Sequence, residues 1–172
     1  MNRAILSSAL ALASATAVFA AGNTVTTAAN AKVKIRKAIT LTKTADLDFG
    51  GVVESGNVAD TGSVTVSAAG AMTSTGASIS GTFNTTAAAA FNVGGSKNAT
   101  YAITLPAAPV SLAGSNGGTL NVDTFTSATG SGTATLSGTG TDTLTVGAKL
   151  TVPGNATEGD YTGSFNVTVA YN

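Results

Sequence analysis

From Tyr161 to Tyr171 the sequence places Tyr161, Gly163, Phe165, Val167, Val169 and Tyr171 at alternate positions, with Thr162, Ser164, Asn166, Thr168 and Ala170 between them. A period of two sends the first set to one face of an extended strand and the second set to the other, so the stretch reads as a half-buried β-strand. Such a strand needs a neighbour: an earlier segment of the same chain, a cover, or a strand from another molecule. The run from Gly159 closes the sequence at Asn172, so no later segment is expected to supply that neighbour.

The same signature recurs upstream in shorter pieces. Thr40–Thr42, Ser63–Val66, Ala77–Ser80, Ala90–Val93, Thr100–Leu105, Leu120–Phe125, Thr133–Leu136 and Leu144–Val152 are rich in β-branched or aromatic residues, and such runs favour strands. Turn chemistry closes them at Gly50-Gly51, Ser55-Gly56-Asn57, Gly94-Gly95-Ser96, Gly114 to Gly118, Gly130 to Gly132, Ser137 to Gly140 and Pro153-Gly154-Asn155. No segment has a sustained helical period, and Ala87 to Ala90 reads as the start of a strand. The spacing of strands and turns predicts an all-β fold, an immunoglobulin-like antiparallel β-sandwich.

The first residues belong to a different class. Met1-Asn2-Arg3 brings one positive charge, Ala4 to Val18 is a short apolar run, and Val18-Phe19-Ala20 is a small-x-small cleavage signal. Residues 1–20 are expected to be a signal peptide, followed by an N-terminal extension over 21–36 and the sandwich domain over 37–172. No other stretch approaches the roughly 18 apolar residues of a transmembrane helix, so no membrane insertion is expected. The expected route is export through the periplasm to the cell surface or the medium. Export would permit disulfides, yet the chain has no Cys, so packing alone must hold the fold. Eight basic residues balance eight acidic ones, which gives no electrostatic case for nucleic acid or an anionic membrane.

Within the extension, Val25, Thr27, Ala29, Ala31, Val33 and Ile35 share one phase, while Lys32, Lys34 and Arg36 take the other. The phase breaks at Lys37 and resumes at Ile39 and Leu41, so Arg36-Lys37 reads as a joint between two strand segments. Fully extended, Ala21 to Ile35 spans roughly 50 Å, enough to lie along a whole sandwich. An alternating N-terminal arm and an unpartnered final strand read as complementary halves of one connection.

The C-terminal pattern resembles that of chaperone-usher pilus (fimbrial) subunits: Tyr171 is penultimate, hydrophobes alternate before it, and Gly159 lies fourteenth from the end. In that family the subunit lacks its final sandwich strand, a periplasmic chaperone lends one, and the N-terminal extension of the next subunit replaces it on assembly. The resemblance implies a pilin-like sandwich, with Val25, Thr27, Ala29, Ala31, Val33 and Ile35 as the donor strand. Gly159, Tyr161, Phe165, Val167, Val169 and Tyr171 would then form the acceptor groove and chaperone-binding edge. It implies a homopolymer built by strand exchange, a chaperone and an outer-membrane usher as partners, and adhesion or biofilm formation as the outcome. Many pilins carry a disulfide that this chain lacks. The stretches Thr44 to Gly50, Ala99 to Leu105 and Tyr161 to Phe165 also resemble an exported bacterial family catalogued as domain of unknown function 4402, over nearly all of the mature chain. The alternative is a monomeric secreted β-sandwich, an adhesin or matrix protein whose N-terminal strand pairs with its own molecule.

Catalysis finds little support. With no His and no Cys, the usual nucleophile-base pairs and most transition-metal sites are missing. Nothing singles out a carboxylate pair for glycoside hydrolysis, and with no Trp and three Tyr a sugar-stacking platform is poorly supplied. Asp46-x-Asp48 and Glu158-Gly159-Asp160 offer hard oxygen ligands without the loop of a calcium motif, so solvated turn carboxylates are expected. Gly94-Gly95-Ser96-Lys97 lacks the spacing of a phosphate loop and is expected to be a hairpin turn. The expectation is no enzyme, no cofactor and no metal. The five basic residues from Lys32 to Lys43 read mainly as the solvent face of a strand, where charge also discourages wrong edge pairing.

Overall fold

The computed structural model describes residues 22, 24–51, 61–76, 85–130 and 132–172. Residues 1–20, expected to be a signal peptide, lie outside the described residues, as does the expected strand Ala77–Ser80. The chain divides into two units, Met1–Lys34 and Ile35–Asn172.

In the first unit, residues 24–34 form neither helix nor strand and are exposed. The exposure continues in Ile35, so strand structure does not begin at the expected joint but at Thr40. A two-residue period makes a strand only where a neighbouring backbone supplies the ladder hydrogen bonds, and residues 24–35 make none among the described residues.

The second unit is an antiparallel β-sandwich, as the sequence predicts, with no helix among the described residues. Its strands are β1 (Thr40–Ala45), β2 (Thr61–Val66), β3 (Met72–Thr75), β4 (Ala89–Gly94), β5 (Thr100–Thr104), β6 (Val110–Gly114), β7 (Thr119–Ser127), β8 (Gly132–Thr135), β9 (Thr141–Pro153), β10 (Tyr161–Thr162) and β11 (Thr168–Tyr171). An eight-stranded sheet runs β1-β4-β9-β7-β6-β10, with β2 also on β9 and β3 on β2; a three-stranded sheet runs β11-β5-β8.

The long strand β9 organises both halves. Its first part, Thr141 to Val146, pairs with β4, and its second part, Ala148 to Pro153, pairs with β2. The partner changes at Gly147, where an added Cβ would collide with the Val66 carbonyl and the backbone of Ser67 and Ala68. Only glycine admits that approach.

Two apolar cores follow from this division. The first lies between the sheets: Ala89, Phe91, Val93, Leu144 and Val146 meet Tyr101, Ile103, Ala134 and Leu136. The second gathers Val64, Val66, Leu120, Val122, Ala148, Leu150 and Val152 from the larger sheet alone, with Phe49 from the segment after β1. No strand of the three-stranded sheet contributes a buried residue to the second core. Phe125 touches both cores. It does so because a bulge between Asp123 and Thr126, with Thr124 at φ 53°, shifts the inward phase of β7 from even to odd residues.

Two expectations need correction. The run Gly159 to Asn172 is not one strand: β10 pairs with β6 in the larger sheet and β11 with β5 in the smaller, while residues 163–167 cross between them. Side-chain alternation survives the crossing, since Phe165, Val167, Val169 and Tyr171 are half-buried and the residues between them exposed, but the hydrogen-bond ladder does not. At its start Gly163 passes close to β6, where a Cβ would lie 2.7 Å from Leu112 Cδ2 and 2.9 Å from the Ser111 carbonyl. Gly94 to Lys97, expected as a hairpin turn, instead leads from β4 in one sheet to β5 in the other. Strands β3 and β6 were not expected. β3 is mostly exposed with Met72 as its one large apolar residue, and β6 follows the proline-flanked segment 106–109.

Candidate functional site

A cleft of about 840 Å³ opens onto the second core. Leu112, Leu120, Val122, Leu150 and Val152 line it from β6, β7 and β9, residues 47–51 form one bank, and residues 156–165 form the other.

The first bank continues β1. Asp48 and Ala87 exchange backbone hydrogen bonds of 2.8 and 2.9 Å. In an antiparallel ladder successive residues direct their peptide groups to opposite edges, so those of Leu47 and Phe49 point away from this partner. Among the described residues Leu47 and Phe49 make no hydrogen bond. The Asp48 carboxylate accepts the Gly50 N–H at 2.8 Å, and Gly50 at φ 70° turns the chain. Phe49 is buried in the second core.

The second bank is braced against the β6–β7 turn. Asn116 Nδ2 donates to the Glu158 carbonyl (2.9 Å), the Asp160 N–H donates to Ser115 Oγ (3.0 Å), and the Ser115 N–H donates to the Asp160 carbonyl (2.9 Å). Gly159 lies so close to this turn that a Cβ would sit 2.8 Å from Ser115 Oγ. Tyr161 Oη donates to the Thr157 carbonyl at 2.5 Å. Beyond β10 the ladder lapses, and residues 163–167 make no backbone hydrogen bond among the described residues. Phe165 is held by its ring, which meets Phe125 at 4.9 Å between centroids with a 42° tilt. Both banks therefore present unpaired main-chain groups beside an apolar groove, the condition under which a sheet edge accepts another strand.

Of the acceptor residues named from sequence, Gly159, Tyr161 and Phe165 line this cleft. Val167, Val169 and Tyr171 do not; they pack against the first core. Strand β11 pairs with β5 on one edge and has no strand on the other among the described residues. Tyr171 instead secures the entry of the chain into the sandwich. Its hydroxyl donates to the Lys37 carbonyl (2.7 Å) and accepts the Ser96 N–H (2.7 Å), while the Lys37 N–H donates to Ser96 Oγ (2.7 Å). The Arg36 guanidinium lies 5.1 Å from the Tyr171 ring centroid, a cation–π arrangement. Of the donor residues, Val25, Val33 and Ile35 are 78, 87 and 89% exposed, and Thr27, Ala29 and Ala31 are exposed as well.

Of the four carboxylates that offer hard oxygen ligands, two are engaged within their own segment, while those of Glu158 and Asp160 make no side-chain hydrogen bond or ion pair among the described residues. Asp46 pairs with Lys43 at 2.5 Å and Asp48 caps Gly50. Asp142 accepts the Tyr101 hydroxyl at 2.7 Å, and burial together with that carboxylate raises the phenol above its usual range. Residues 47–51 and the groove lining from Leu112, Leu120, Leu150 and Val152 were not foreseen as site residues. The pattern marks them only as inward-facing hydrophobes, and no local signal separates a core position under a cleft from one under a second layer.

No curated protein and no solved structure matches the chain. The family described as Domain of unknown function (DUF4402) matches residues 39–171, from the residue before β1 to the end of β11. That span includes both banks and the lining of the cleft, and the chain belongs to the DUF4402 family.

Proposed function

We propose that this protein is a structural subunit of a bacterial surface fibre, exported through the periplasm and assembled without catalysis by donor-strand exchange. The observation that carries the reading is the apolar cleft bounded by two chain edges, one at Leu47 and Phe49 and the other at 163–167, where the main-chain groups of these residues lack partners among the described residues. A guest strand would meet both needs at once: its peptide groups would complete the two ladders and its alternate side chains would enter the cleft. The segment from Val25 to Ile35 of a second copy has the required period and carries three exposed large hydrophobes. Burying each contributes about 1.5 to 3 kcal/mol, and each net hydrogen bond adds about 0.5 to 1.5 kcal/mol. In this reading a periplasmic chaperone protects the same edges before assembly, and an outer-membrane usher directs the exchange.

The test is a denaturing gel of protein isolated from the surface of its own host, run unheated and heated. A regular ladder that collapses to monomer on boiling is the expected result. A single monomer band in both lanes refutes the fibre and favours a self-closed monomeric sandwich.

A further inference from the structure

The outer rims of the cleft are acidic on both sides. Asp48 is exposed between half-buried Leu47 and buried Phe49, and Glu158 and Asp160 are exposed beside half-buried Tyr161. All three acids line the cleft, and among the described residues no Lys or Arg does. Other acids of the described residues have partners: Asp46 has Lys43, Asp123 has Lys149, and Asp142 has the Tyr101 hydroxyl. Asp48, Glu158 and Asp160 have no ion-pair partner among the described residues.

The opposite charge stands on the segment proposed to enter. When Ala31, Val33 and Ile35 face inward, period two places Lys32 and Lys34 on the outer face. Lys32 and Lys34 are two residues apart, as are Glu158 and Asp160. A strand laid between the banks brings its outer side chains beside the outer side chains of both, at about 5 Å between Cβ atoms for directly opposed residues. We infer that the cleft selects a strand with one apolar and one basic face, and that Lys32 and Lys34 of a second copy pair with Asp48, Glu158 and Asp160. The inference rests on the strand-exchange reading and adds to it how the guest is recognised. Apolar burial supplies affinity, while the charges steer the encounter and discriminate against strands whose outer face is acidic.

The experiment uses the full chain carrying Val33→Asp, which disables its own segment as a donor, and a fluorescent peptide of residues 24–36 as the probe. Binding is followed by anisotropy. Raising salt from about 0.05 to 0.5 M is expected to weaken binding roughly tenfold. Lys32→Glu with Lys34→Glu in the peptide, or Glu158→Lys with Asp160→Lys in the acceptor, should each weaken it about tenfold, and the two reversals together should restore it to within about threefold. A peptide with Lys32→Gln and Lys34→Gln should bind both acceptors alike, which establishes that the reversed acceptor is folded. Equal binding of all peptides, insensitive to salt, overturns the charge pairing and leaves strand exchange standing. Failure of every peptide to bind overturns both.

Discussion

Val33 separates the stability of one subunit from the cohesion of a fibre. At 87% exposure its side chain contributes almost nothing to packing within the chain. Substitution there should change unfolding free energy by no more than about 0.5 kcal/mol. In the proposed fibre the same side chain would be buried in a neighbour's cleft and would contribute about 1.5 to 3 kcal/mol. Val33→Ala removes roughly 1 to 1.5 kcal/mol of that, a loss of about 5- to 15-fold in the subunit contact. Val33→Asp removes all of it and also buries a carboxylate with no cationic partner among the described residues of the cleft lining, at a cost of several kcal/mol. No ladder should then form under conditions in which the native chain gives the ladder expected of the proposed fibre. Asn30→Asp, of the opposite phase, introduces the same charge facing outward and should leave the ladder largely intact. The assay pairs thermal melts of dissociated subunits with unheated gels and sedimentation of assembled material. A ladder unchanged by Val33→Asp, or equally lost with Asn30→Asp, would refute the reasoning.

Two further outcomes test the scaffold beneath the cleft. Gly147→Ala sets a Cβ against the backbone of residues 66–68, which no rotamer change relieves; it should cost about 3 kcal/mol and lower the melting temperature by roughly 10 °C, and a shift below about 2 °C would mean that β2 and β9 do not approach as described. The buried Tyr101 phenol is held protonated above its usual range by burial and by Asp142, so its stabilising effect is complete below the unfolded-state pKa of about 10 and declines as pH rises above it, by up to about 1.4 kcal/mol per unit. Tyr101→Phe should remove that part of the alkaline slope, and identical slopes for both chains in urea melts from pH 8 to 11 would contradict the assignment.

The architecture was legible because a sandwich repeats a local rule. Strands such as Ser63–Val66, Ala90–Val93 and Leu144–Val152 alternate, and glycine-rich turns separate them, so periodicity alone placed much of the larger sheet. The rule fails where the ladder, not the side-chain phase, decides. Phe165 and Val167 keep the alternation of a strand while their backbone crosses between sheets, and nothing in the side chains records the missing hydrogen bonds. Phe125 presents the converse, a residue whose inward aim depends on a bulge with Thr124 in a left-handed conformation. The likeness to a pilin terminus named Gly159, Tyr161, Phe165, Val167, Val169 and Tyr171 together, but only the first three line the cleft and the other three pack against the first core. The opposite bank, Leu47 to Gly51, owes its place at the cleft to the bridge of Asp48 with Ala87 on one side alone, which no local sequence signal records.

The polarity of the proposed fibre follows from where the chain enters the sandwich. Lys37 has both of its backbone groups held, the N–H by Ser96 Oγ and the carbonyl by Tyr171. This entry point sits at one end of β1, where Thr40 pairs with Gly94, whereas Asp48 pairs with Ala87 at the other end beside the cleft. Eight residues of extended chain separate these positions, about 26 Å. The C-terminal segment runs the same course in reverse, from Tyr161 at the cleft to Tyr171 at the entry point. A chain entering at one pole and a cleft near the other make donor and acceptor different surfaces, so the contact between copies is heterologous. Such a contact has no two-fold axis to close it and propagates as a filament unless the rotation per subunit happens to complete a ring. A fibre assembled this way has one end with an empty cleft and one with an unpaired arm: growth at the first requires a guest of the kind defined by Val33, Ile35, Lys32 and Lys34, and growth at the second a subunit whose cleft is free.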